Sequence, residues 1–80
     1  MARFLIGQDS PGLKKVLSEA LGDEHQLEFL VYPQLKTELK KKLYDLAVVD
    51  TGWEQVNSVT VMQVIREQSP ETKVIIISSS

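Results

Sequence analysis

The sequence of 80 residues contains no cysteine. That excludes disulfides, thiolate catalysis and cysteine-based zinc sites, and it suits a reducing compartment. Long apolar runs are also missing. None approaches the ~20 residues needed to span a bilayer. The first seven residues, Met1 to Gly7, hold one positive charge and an apolar stretch too short for a signal peptide. There is no excess of positive charge either. A net charge of −2 argues against a nucleic-acid module, which is usually clearly basic. A glycine-rich phosphate loop, a metal-binding histidine pair and a nucleophile elbow are absent too, so an enzyme ranks last among the possible functions. The expectation is a soluble, cytoplasmic protein that is not an enzyme and has neither membrane nor nucleic acid as partner.

What is present is ordinary for a globular chain: 42% apolar and 25% charged residues, enough for one small domain. Arg3 to Gly7 is a short apolar run, as in a buried strand. Ser10-Pro11 supplies a capping hydroxyl and a first-turn proline. Leu13, Val16, Leu17, Ala20 and Leu21 then mark one face of a helix over about 11–21, with Gly22 expected as a left-handed stop. Leu27 to Tyr32 reads as a strand. Pro33 opens a second helix with Leu35, Leu39 and Leu43 as its stripe and Glu38 able to pair with Lys42. Lys40, Lys41 and Lys42 read as a solvated helix face.

Leu46-Ala47-Val48-Val49 is an unbroken apolar run ending in Asp50. Continuous hydrophobicity means burial on both faces, as in a parallel sheet. Thr51-Gly52-Trp53-Glu54 reads as a loop. Val56, Val59, Met62 and Ile65 recur every three residues and favour a helix over a strand, ended by Ser69-Pro70. Val74 to Ile77 is a second doubly buried strand running into Ser78. The order β-α-β-α-β-α-β predicts a parallel α/β sheet with right-handed crossovers. Ligands of such sheets bind beyond the carboxyl ends of the strands. That rule selects Gln8 and Asp9, Asp50 and Gly52, and Ser78. Their oxygens suit a hard divalent cation, and a carboxylate beside such a cation can attack a phosphoryl group.

Three stretches carry a resemblance: Arg3 to Ser10, Tyr44-Asp45-Leu46-Ala47-Val48-Val49-Asp50, and Val64-Ile65-Arg66 with Val74 to Ser78. Over its whole length the chain resembles the first two-thirds of a receiver, or pseudo-receiver, domain of bacterial two-component response regulators. The resemblance implies a flavodoxin-like doubly wound sheet of strand order 2-1-3-4, with residues 1–80 lacking a fourth helix, a fifth strand and a fifth helix. It implies Asp50 as phospho-acceptor and Mg2+ held by Asp9, Asp50 and the Gly52 backbone carbonyl. Ser78 would hydrogen-bond the phosphoryl group. A sensor histidine kinase or a downstream regulatory protein would be the partner. Two departures stand out. Gln8 replaces the first of a usual acidic pair, which weakens the metal site, and Trp53-Glu54-Gln55 replaces the usual loop.

Plainer roles stand beside these. Asp50 and Ser78 are also ordinary strand-end residues. Asp9 suits a helix cap as well as a metal. Trp53 suits a site cover, a partner contact or core packing, and His25 reads as exposed. Two functions compete with signalling by phosphorylation: phosphorylation-independent docking, and a structural module that uses the fold to oligomerise. The half-bare sheet and the apolar edge of the fourth strand predict a homo-oligomer or part of a longer chain.

Overall fold

The computed structural model describes residues 2–77. Four strands alternate with three helices: β1 (Arg3–Gly7), α1 (Pro11–Leu21), β2 (Gln26–Phe29), α2 (Tyr32–Lys41), β3 (Leu46–Asp50), α3 (Ser58–Gln68) and β4 (Lys73–Ile77), with a 3-10 turn at Trp53–Gln55. All pairings are parallel, in the order β2-β1-β3-β4. Sequence pattern and structure agree on this architecture. Ser78, expected at the end of the fourth strand, lies outside the described residues.

Alternation along the strands sorts their side chains between the two sheet faces. Leu5, Ala47 and Val49 face α2 and α3. There they join Leu35, Leu39, Tyr44, Val61 and Ile65 in the buried core. Val74, in register with Ala47, packs against the same cluster. Ile6 and Val48 are buried on the other face, where α1 crosses. Phe29 is in register with Ile6 and carries the Lys14 ammonium 5.1 Å from its ring centre. Helix α1 buries no residue fully, and its Val16 is exposed.

Local chemistry sets most of the boundaries. The Ser10 hydroxyl accepts from the Leu13 N–H (3.3 Å) and caps α1. Asn57 caps α3 through the Val59 N–H (2.8 Å). At the α3–β4 turn the buried Ser69 and Thr72 hydroxyls bond each other at 2.6 Å. Thr72 donates to the Tyr44 carbonyl (2.7 Å), which ties the turn back to the start of β3.

Several local expectations are corrected. Gly22 is right-handed (φ −65°), and its N–H continues the helix to the Ser18 carbonyl. A Cβ there would lie 2.4 Å from that oxygen, so crowding rather than handedness selects the glycine. Strand β2 starts one residue earlier and ends three residues earlier than expected. Pro33 sits in the first turn of α2 and draws Tyr32 into the helix. Leu43 lies beyond α2 and is exposed. Val56 precedes α3. His25 is half-buried: it stacks on Phe4 at 4.8 Å and accepts from the Ala2 N–H (3.2 Å). Lys42 pairs with Glu28 at 2.7 Å instead of with Glu38.

Candidate functional site

The carboxyl ends of β1 and β3 lie side by side, with Gly7 in register with Val49. Asp50 therefore ends a strand next to the loop that carries Gln8 and Asp9. The placement follows from the unbroken apolar runs, which bury both strands in the centre of the sheet and bring their polar termini to one edge.

Asp50 is 4% exposed. Its Oδ1 accepts from the Gly52 N–H (3.0 Å), a tight turn in which the carboxylate holds the backbone two residues on. The Gly52 carbonyl is engaged locally, accepting from the Gln55 N–H (3.2 Å). Asp9 is exposed and does not cap α1, because Ser10 does. Instead its Oδ2 accepts from the Glu54 N–H (2.6 Å). The Glu54 carboxylate in turn accepts from the Tyr32 N–H. The loop after β3 is thus tied to the loop after β1 and to the start of α2.

Trp53 locks this arrangement. It is 1% exposed and belongs to the core, which selects packing over a site cover or a partner contact. Its ring meets Tyr32 edge-on at 5.9 Å and lies against Gly7, where a Cβ would sit 2.5 Å from the ring. Glu54 and Gln55 both adopt positive φ, 48° and 59°. This conformation is unfavourable for residues with a side chain. It turns the chain sharply enough to bury the indole and still present the Glu54 N–H to Asp9.

The fit to a divalent cation is a matter of donor chemistry. Among the described residues no group of three histidine, cysteine or acidic side chains is placed to hold a metal. Two carboxylates remain, each with one oxygen committed to the loop and one that takes no hydrogen bond from the described residues. The Gln8 Oε1 is buried without a donor. It lines a cleft of about 340 Å³ with Asp9, Ser10, Lys14 and Phe29. Carboxylate, amide and backbone oxygens are the ligands of a hard cation. The residues present therefore fit one, at a lower negative charge than a third carboxylate would give. The sequence pattern named Asp9, Gln8, Asp50 and Gly52, and the structure gathers them at one edge. The pattern missed the roles of Glu54 and Gly7 and left that of Trp53 open, because these contacts act across 22 to 46 residues of chain and leave no periodic trace.

A second polar cluster lies toward the amino-terminal side of the sheet. Glu28 accepts from Lys42 (2.7 Å) and from the Tyr44 hydroxyl (3.1 Å), and Arg3 lies 3.3 Å from its other oxygen. Burial first, and the Glu28 charge second, push the Tyr44 hydroxyl above the usual phenol range. No described helix is long and apolar enough to cross a membrane.

A parallel sheet of order β2-β1-β3-β4 with helices between its strands defines the class, a doubly wound α/β domain. Within that class the fold is the one found in response regulators. A response regulator from Burkholderia pseudomallei, solved with a phosphorylated aspartic acid, a calcium ion and citrate, superposes over 100% of this chain with a TM-score of 0.85. The two sequences are 10% identical, and the chain spans 48% of that protein, so the likeness is one of fold. No protein-family model and no curated protein matches the sequence.

Proposed function

We propose that the chain is a divergent receiver-like module of signal transduction that is switched at Asp50. The observation that carries this is the pairing of a nearly buried strand-end carboxylate with a second carboxylate, Asp9, on the adjacent strand's loop. Asp50 keeps one oxygen free of the loop and is the nucleophile. In the transfer, that oxygen attacks phosphorus, the bond from phosphorus to the donor's leaving atom breaks, and the acyl phosphate stays on Asp50. The donor is a phosphohistidine of a sensor kinase. Asp9, Asp50 and the Gly52 carbonyl would hold Mg2+, with Gln8 contributing an uncharged oxygen. When bound, the cation neutralises charge on the phosphoryl oxygens. Ser78 is assigned the hydrogen bond to the phosphoryl group. The module works in the cytoplasm as a regulator and not as an enzyme.

A second function, docking to a partner without phosphorylation, is favoured by the loop itself. Asp9 already holds Glu54, and Trp53 already fills the core. One experiment separates the two. Beryllium fluoride with Mg2+ is titrated against Trp53 fluorescence, in the native chain and in Asp50→Asn. Switching at Asp50 predicts a saturable change in the native chain alone. A flat trace in both rejects phosphotransfer and leaves the docking role.

A further inference from the structure

Helix α2 does not cap itself. Its N-cap residue is Val31, whose side chain makes no capping hydrogen bond. The acceptor comes from the loop after β3, where the Glu54 carboxylate takes the Tyr32 N–H across 22 residues of chain. A carboxylate in that place also faces the positive end of the helix dipole.

Glu54 has a second contact, through its backbone. Its N–H donates to Asp9 Oδ2 at 2.6 Å. The next N–H, that of Gln55, donates to the Gly52 carbonyl at 3.2 Å, and the Gly52 N–H donates to Asp50 Oδ1 at 3.0 Å. The three groups proposed to hold a cation, Asp9, Asp50 and the Gly52 carbonyl, thus each take an N–H from one loop. The two residues that donate to Asp9 and to Gly52 are also the two with positive φ, Glu54 at 48° and Gln55 at 59°. A left-handed conformation is unfavourable for a residue with a Cβ. Released from these bonds, both residues relax to negative φ. That movement withdraws their N–H groups from Asp9 and Gly52 and carries the Glu54 carboxylate away from Tyr32.

A cation pulls on the same oxygens. It competes with the Gln55 N–H for the Gly52 carbonyl, and by drawing Asp9 toward Asp50 it draws Asp9 off the Glu54 N–H. We infer that Glu54 and Gln55 form a latch: closed, it satisfies the acidic site with its own N–H groups and caps α2, and a divalent cation taken up by Asp9, Asp50 and Gly52 opens it and uncaps α2. Occupancy at the carboxyl edge of the sheet is thereby reported at the start of α2. The inference rests on the reading of those three groups as a cation site.

Mg2+ alone is titrated into the 80-residue chain, with amide resonances giving its affinity and amide exchange following Glu54, Gln55 and Tyr32. All three amides are expected to be protected without Mg2+ and to lose protection together on saturation. Gln55 is exposed, so its side chain can be varied away from the core. Gln55→Gly favours the closed latch. A site available only when the latch is open binds in proportion to the open fraction, so Mg2+ affinity should fall by up to about fivefold, the equivalent of about 1 kcal/mol. Gln55→Val resists positive φ and should tighten Mg2+ binding by a similar factor. Mg2+ that binds while the Glu54 and Tyr32 amides stay protected overturns the latch and leaves the cation site standing. So does an affinity that is equal in the three chains or ranks in the opposite order. Absence of Mg2+ binding in all three removes the cation site, and the latch with it.

Discussion

Gly7→Ala tests whether Trp53 and the end of β1 hold the candidate site together. Gly7 does not have positive φ, so its backbone accepts alanine. The obstacle is contact. A Cβ would lie 2.5, 2.7 and 2.8 Å from Cε3, Cζ3 and Cδ2 of Trp53, where carbon atoms prefer about 3.5–4.0 Å. The ring must therefore retreat by about 1 Å. It is fully enclosed, and its loop is held by Asp9 and Glu54. Overpacking of this kind costs about 1–3 kcal/mol. The stiffer unfolded chain returns about 0.4–1 kcal/mol. The net expectation is a loss of about 1–2 kcal/mol, or roughly 4–16 °C in Tm for a domain of this size. Urea unfolding followed by Trp53 fluorescence measures it, and the native emission should shift because the ring itself moves. In Trp53→Leu the same alanine should be close to neutral, since the clash is gone. A loss under about 0.5 kcal/mol in the native background, or an equal loss in both backgrounds, refutes the reasoning.

Three further outcomes are expected. Ile65→Ala removes a fully buried core side chain and should cost about 2–5 kcal/mol in denaturant unfolding. Gln55→Gly relieves a positive φ at an exposed side chain and should stabilise the chain by up to about 1 kcal/mol; thermal unfolding that shows a loss instead would place the strain elsewhere. Tyr44 is held neutral in the folded state by burial and by Glu28. Its contribution is complete below the unfolded phenol value of about 10 and is lost as pH rises from there toward the higher folded value. Stability measured through the alkaline range should therefore fall more steeply in the native chain than in Tyr44→Phe, by up to about 1.4 kcal/mol per pH unit.

The sheet was legible because burial writes itself along the chain. The unbroken apolar run ending at Asp50 defines a central parallel strand; the run ending at Ile77 also forms a parallel strand, but its expected burial on both faces is corrected, since Ile75 and Ile76 are exposed among the described residues. Ser10-Pro11, Pro33 and Ser69-Pro70 mark helix ends by local stereochemistry. Strand order came from the resemblance, and the structure has it as expected. The site was legible only in outline. Asp50 and Asp9 could be placed because strand ends share an edge. Their hydrogen bonds could not, because those run from Asp9 to Glu54 and through a turn set by two left-handed residues. Trp53 offered three equal roles in sequence, and only its contact with Gly7, 46 residues away, separates them. Lys42 shows the same limit: its neighbour one helical turn back, Glu38, lost to Glu28 across the fold.

Helix α1 has a consequence for the site that follows from its shallow seating. Among the described helices it alone sinks no side chain completely into the domain, and the two-residue segment just before it carries Asp9 and Ser10. Elements with few buried contacts open at the lowest free energy and do so without unfolding the rest. Asp50 is thus anchored in the part of the molecule that opens last, and Asp9 hangs from the part that opens first. A ligand bridging the two would fasten α1 to the sheet. Ligand affinity and the protection of α1 amides would then rise and fall together.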